Sequence, residues 1–181
     1  FKLGQKFTDS MLLRYIVTRR FEMAEITRDV IYHLEWRQKN IPTPKLTNKT
    51  LNLLNKGILY IHGRSKDLYP IIILDFKRLS EMLRNQEIDE GVFCSLYNFI
   101  SLYIINNMTL PGQVEKWITI CNINKFEIKE LPIHMFKGCA KELSTNNVER
   151  CRSQFVVNLS WVQNAIAKFL QSFLDADIQS R

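Results

Sequence analysis

The spacing of apolar residues changes twice along this chain, and each change marks a different kind of element. Up to residue 40 the period is helical. Thr8-Asp9-Ser10 offers an N-cap for a short helix over residues 11–18. Ile26, Val30, Ile31 and Leu34 then fall on one face of a second helix over 24–39, which Pro42 and Pro44 end because proline cannot continue the hydrogen-bond ladder. Residues 45–56 read as a polar connection with no assigned structure. From Gly57 the apolar runs shorten. Residues 57–62 and 69–76 are rich in Ile, Leu and Tyr and flank the turn-like Gly63-Arg64-Ser65-Lys66-Asp67, which predicts a pair of strands.

Beyond the pair, helical and extended patterns alternate. Helices are expected over 76–85 and 89–107, the second broken by Pro111-Gly112. A buried strand follows over 115–123, then a helix over 131–145 with Ile133, Phe136, Ala140 and Leu143 on one stripe. A strand over 152–157 and a last helix over 162–173 complete the series. Such alternation implies an α/β fold whose sheet is mostly parallel and crossed by helices.

Composition narrows the class. The chain has 181 residues, 46% of them hydrophobic, enough for one domain with a real core and a small helical appendage. The division expected is an N-terminal helical segment over 1–50 and the main domain over 51–181. A net charge of +7 suits anionic partners, or is simply a lysine-rich surface. No charged residue occurs from 91 to 114, but Ser95, Asn98, Ser101 and Asn106-Asn107 interrupt the run, so a helix buried within the domain fits better than a membrane span. The cysteines (Cys94, Cys121, Cys139 and Cys151) form no C-x-x-C pair and suggest no zinc site; all four are expected as reduced core thiols of a cytoplasmic protein. The sequons at Asn48, Asn107 and Asn158 read as chance matches.

The motifs of several enzyme classes are missing. There is no glycine-rich phosphate loop and no nucleophile elbow, and the three histidines, His33, His62 and His134, stand apart. His33 is expected to be solvated or to cap a helix. The exposed aromatic pattern of single-strand binders is also lacking, so nucleic acid is not an expected partner. These observations favour a non-enzymatic binding protein with no catalytic residues, metal or cofactor.

Four separated segments resemble the CRAL-TRIO lipid-binding family. Leu12-Leu13-Arg14-Tyr15 through Arg19-Arg20-Phe21, then Leu34-Glu35-Trp36-Arg37, is similar to the family's L-L-R-F-L-R-A-R-K-F segment and its W-R-K helix end. Lys66-Asp67-Leu68-Tyr69-Pro70-Ile71 stands where the family has K-D-G-R-P-V, with Leu68-Tyr69 replacing Gly-Arg. Ile118-Thr119-Ile120-Cys121-Asn122-Ile123 takes the place of a strand ending I-x-D-L-x-G, with Asn122 for the Asp and Lys125 for the Gly. Glu149-Arg150 to Phe173-Leu174-Asp175 is similar to P-E-R…I-I-N-x-P…F-L-D.

The resemblance implies a sheet that floors an apolar lipid pocket, covered by helices, and a carrier that transfers or presents a phospholipid. Phosphatidylinositol is the expected lipid. The implied headgroup residues are Arg19 and Glu149, with Arg181 in place of a family lysine; the family's threonine falls on Ile178. The implied pocket lining is Ile72 with Trp117, Thr119 and Cys121, the last three sharing one face by strand alternation. Expected partners are the bound phospholipid, an anionic membrane surface contacted peripherally, and a lipid kinase. The family pattern continues past F-L-D into another strand and a gate helix, so the expectation is that the domain is truncated at its C-terminus, that the segment is disordered, or that the gate is missing; an incomplete gate would leave exposed pocket surface that invites dimerisation or membrane contact. The alternatives are a protein-interaction module on the same fold with a filled pocket, or a carrier of another small lipophile.

Overall fold

The structure is a computed structural model that describes residues 8–40, 47–124, 139, 141–142 and 144–158. Four of the described helices begin where a short polar side chain can take up a free backbone N–H. Thr8 accepts from Met11 N at 3.3 Å and starts α1 (Asp9–Thr18). After a tight turn comes α2 (Met23–Asn40). Thr47 accepts from Thr50 N and starts α3 (Asn48–Asn55), a helix within the stretch expected to be a polar connection. Thr47 as cap and Leu53 as the buried anchor are its sequence signals, obscured by the polar residues between them. Gly57 follows at φ +70, a left-handed conformation that glycine adopts without strain.

The antiparallel pair is β1 (Leu59–Arg64) and β2 (Pro70–Asp75). In the turn between them Leu68 adopts φ 66, the left-handed conformation that glycine reaches without strain, at the position where the resembled pattern has Gly. The turn closes through Leu68 N to Ser65 O and Ser65 N to Tyr69 O. Asp75 caps α4 (Phe76–Arg84), and Asp89 caps α5 (Glu90–Asn107) by accepting from Val92 N at 2.8 Å. β3 (Trp117–Asn122) then pairs parallel with β2, and β4 (Cys151–Val157) pairs parallel with β3. The sheet order is β1-β2-β3-β4, a mixed α/β sheet with one antiparallel pair. At the strand ends Asn122 Nδ2 donates to Asp75 Oδ2 (3.2 Å) and Asn122 Oδ1 accepts from Asn158 Nδ2 (2.8 Å). An aspartate at 122 would instead repel Asp75, which gives a reason for this departure from the family pattern.

The described residues between 139 and 146 are helical, in line with the expected 131–145 helix; the rest of that stretch, its apolar stripe and the 162–173 helix lie outside the described residues. The cysteine expectation needs correcting. Cys94 on α5 and Cys139 form a disulfide with Cα atoms 5.6 Å apart, and only Cys121 and Cys151 are free. Sequence spacing gave no sign of it because the partners are 45 residues apart and are brought together by the fold. Thiol titration of the denatured, unreduced chain is expected to find two thiols, and four after reduction; reduction should lower the unfolding free energy by about 3 kcal/mol. Four thiols before reduction would refute the pairing.

Candidate functional site

Strand alternation divides the sheet into two unlike faces. Register places Leu59, Leu74 and Cys121 in one row and Ile72 beside Thr119 in the next, with Trp117 on the same side. This face is sealed. Ile72 and Leu59 are fully buried and Trp117 is 2% exposed, in one cluster with Phe93, Leu96 and Ile100 of α5. The Tyr97 hydroxyl lies among Thr119 and Trp117, and its burial raises the phenol's pKa. Burial likewise pushes the Cys121 thiol up to about 12, so it is an inert core group. The expected pocket lining, Ile72, Trp117, Thr119 and Cys121, therefore sits on the face packed with α5.

The opposite face is also apolar, and among the described residues it is not sealed. One row runs Tyr60, Ile73, Ile120, Phe155 and a second Ile71, Ile118, Ser153. The four isoleucines are half-buried, while Tyr60 is 38% and Phe155 52% exposed. Its sequence signal is the strands' all-apolar runs, which leave neither side of the sheet polar.

Arg19 and Glu149 come to different partners. Arg19 Nε donates to Asp29 Oδ2 of α2 at 2.6 Å, with Glu25 at 3.8 Å. Glu149, at φ 55, pairs with Lys116 Nζ at 3.1 Å. The two are not joined to each other, and Arg181 lies outside the described residues.

A polar seam, not anticipated from the sequence, holds the N-terminal helices to the domain. Tyr15 donates to Thr145 O (2.8 Å), and Glu142 Oε1 accepts from both Trp36 Nε1 (3.0 Å) and Asn98 Nδ2 (2.8 Å). Asn146 Nδ2 donates to Glu142 O, which turns its Oδ1 towards His33; His33 Nδ1 is therefore the donor in their 3.1 Å bond. Beside this seam Arg14, Tyr15, His33, Arg37, Asn147 and Arg150 line a hollow of about 20 Å³. The arginines belong to the L-L-R, W-R and E-R steps of the sequence, whose value as helix and strand markers hid their convergence.

Residues 54–181 match the CRAL/TRIO domain family, more than half of the chain. The chain belongs to the CRAL/TRIO family. Its fold is similar to the crystal structure of Sfh5, with a TM-score of 0.73 at 10% identity over 91% of this chain and 59% of that one. The CRAL/TRIO chain described here thus spans under two thirds of that protein's length. A sequence search of curated proteins gives no significant match. Among the described residues no helix is long and apolar enough to cross a membrane, and no group of three His, Cys, Asp or Glu is placed to hold a metal.

His33 corrects an expectation of solvation. It is 2% exposed and stacks on Trp36 with ring centroids 5.7 Å apart. Burial, with Arg37 and Arg150 nearby, lowers its pKa from 6.5 to about 4, against the opposing pull of Asn146. The unfolded chain then takes up the proton first as pH falls, so this contribution to stability is complete above about pH 6.5 and is lost progressively towards pH 4. It amounts to about 3 kcal/mol at most. Thermal unfolding from pH 7 to pH 4 is expected to show Tm falling through that window, with a shallower fall in His33→Gln. Identical slopes in the two proteins would contradict it.

Proposed function

We propose that this CRAL/TRIO domain is a non-enzymatic carrier that holds a phospholipid's acyl chains on the unsealed face of the sheet and transfers or presents the lipid. The observation that carries the reading is the row Tyr60, Ile73, Ile120, Phe155 with Ile71 and Ile118 behind it, left half-open while the other face is packed solid. Acyl chains gain about 0.8 kcal/mol per CH₂ removed from water, so a face of this kind favours a long hydrocarbon over a polar ligand. Family membership supports a lipid ligand in general. The finer reading is phosphatidylinositol, with Glu149 accepting from the headgroup hydroxyls and Arg19, with Arg181, offered to its phosphate. Glu149 suits the role because its exposed pair with Lys116 is worth little and exchanges easily for a ligand. The charge of +7 supports docking at an anionic membrane from the cytoplasmic side, where a lipid kinase could take the presented lipid.

The test is extraction. The chain is incubated with liposomes containing phosphatidylcholine, phosphatidylethanolamine, phosphatidylserine and phosphatidylinositol, reisolated, and its lipid identified by mass spectrometry. Phosphatidylinositol is expected to be enriched. Ile120→Asp should cut total recovery at least tenfold while far-UV circular dichroism is retained, and Glu149→Ala should lower the share of phosphatidylinositol with total recovery little changed. Recovery of no lipid from the unmodified chain would sink the proposal.

A further inference from the structure

The turn between β1 and β2 carries an exposed leucine where its backbone suits glycine. Leu68 holds φ 66 and is 51% exposed, so a left-handed conformation that strains a branched side chain is kept while half of that residue still meets water. The turn itself is firmly built. Leu68 N donates to Ser65 O (3.0 Å), Tyr69 N to Ser65 Oγ (3.2 Å) and Arg64 Nη1 to Leu68 O (2.8 Å). A strained residue that the surrounding bonds hold in place, and that does not fill the core, points to a use outside the chain.

The surroundings of this tip are basic. Arg64 ends β1, Lys66 lies in the turn, and both are exposed. Arg152 joins them from β4, where it is the extra residue of a bulge: Trp117 pairs with Cys151 and Ile118 with Ser153. Its guanidinium reaches across the start of β3 to Tyr69, donating from Nη1 to the hydroxyl at 2.9 Å and lying 4.4 Å from the ring centroid. None of these three cations forms an ion pair among the described residues, and Asp67 is the acidic side chain of the turn. β2, β3 and β4 all begin at this end of the sheet, where the half-open row of Ile71, Ile118 and Ser153 starts. Three cations and one carboxylate around an apolar tip complement a surface that is anionic outside and apolar beneath, as a bilayer containing acidic phospholipids is. A bilayer also buries a lone protruding leucine without a fitted pocket, which a protein partner would have to supply.

We propose that the β1–β2 turn is the membrane-docking element of this domain: Leu68 enters the apolar layer of an anionic bilayer, while Arg64, Lys66 and Arg152 meet its headgroups. The inference rests on the carrier reading and deepens it by naming the surface that meets the membrane. Docked in this way, the end of the sheet where the half-open row begins stands nearest the lipid to be taken up or released.

Co-sedimentation with liposomes tests it, using phosphatidylcholine alone and phosphatidylcholine mixed with phosphatidylserine. The unmodified chain is expected to bind the mixed liposomes and to be released by salt. Leu68→Gly should bind them about tenfold more weakly, the effect of losing most of a buried leucine side chain. Its Tm should stay level or rise, because glycine relieves the left-handed backbone. A purely structural leucine would lower Tm or leave liposome binding untouched. Lys66→Gln should weaken binding about fivefold. Equal binding by Leu68→Gly and the unmodified chain, or binding to phosphatidylcholine alone as tight as to the mixture, would overturn the docking assignment and leave the carrier reading standing. So would lipid extraction by a chain that does not sediment with either liposome, which would give the tip to a protein partner instead. A chain that neither extracts lipid nor sediments would take down the carrier reading and this inference together.

Discussion

The packing of α5 against one side of the sheet is the interaction on which the rest of the molecule depends. It buries Trp117, Ile72 and Leu59 at one stroke and fixes which side chains of every strand face inward. Because strand side chains alternate, this choice also dictates what the other side displays. The half-open row from Tyr60 to Phe155 is the unavoidable complement of the sealed one. α5 can do this because it is apolar around much of its circumference, with buried positions from Phe93 to Ile104, while Asn98 and Ser101 are buried polar exceptions; Asn98 finds Glu142. A helix apolar on most sides belongs inside a domain, between a sheet and other helices.

Much of this architecture could be read from local signals. The caps at Thr8, Asp75 and Asp89, the short isoleucine-rich runs and the Gly63–Asp67 turn cluster each act over a few residues, so they appear in a linear pattern. The family resemblance and the order of elements followed from the same segments. Residues that act across long separations were hidden. Cys94 and Cys139 meet through the fold, as do His33 and Asn146, which are 113 positions apart. Nothing in their immediate neighbours announces either contact.

The candidate site shows a subtler limit. Alternation groups Trp117, Thr119 and Cys121 on one face, and they share it, but a continuous apolar run does not say which of two faces meets the helix. That choice lies in α5 and not in the strands. The partner of Arg19 was hidden for another reason: the carboxylate of Asp29, ten positions on, meets the guanidinium across the α1–α2 turn. In that turn Arg20 and Phe21 both take left-handed backbone conformations, which sequence pattern does not foresee for such residues.

The bond between Cys94 and Cys139 makes a covalent ring from everything between them, and that ring contains most of α5 and all of β3. β2 and β4 lie outside it, on either side of its central strand. A protease that nicks the ring once leaves both halves tethered, so the sheet keeps its middle member even when the backbone is cut. In this domain the strand that holds the others together is also the one hardest to lose.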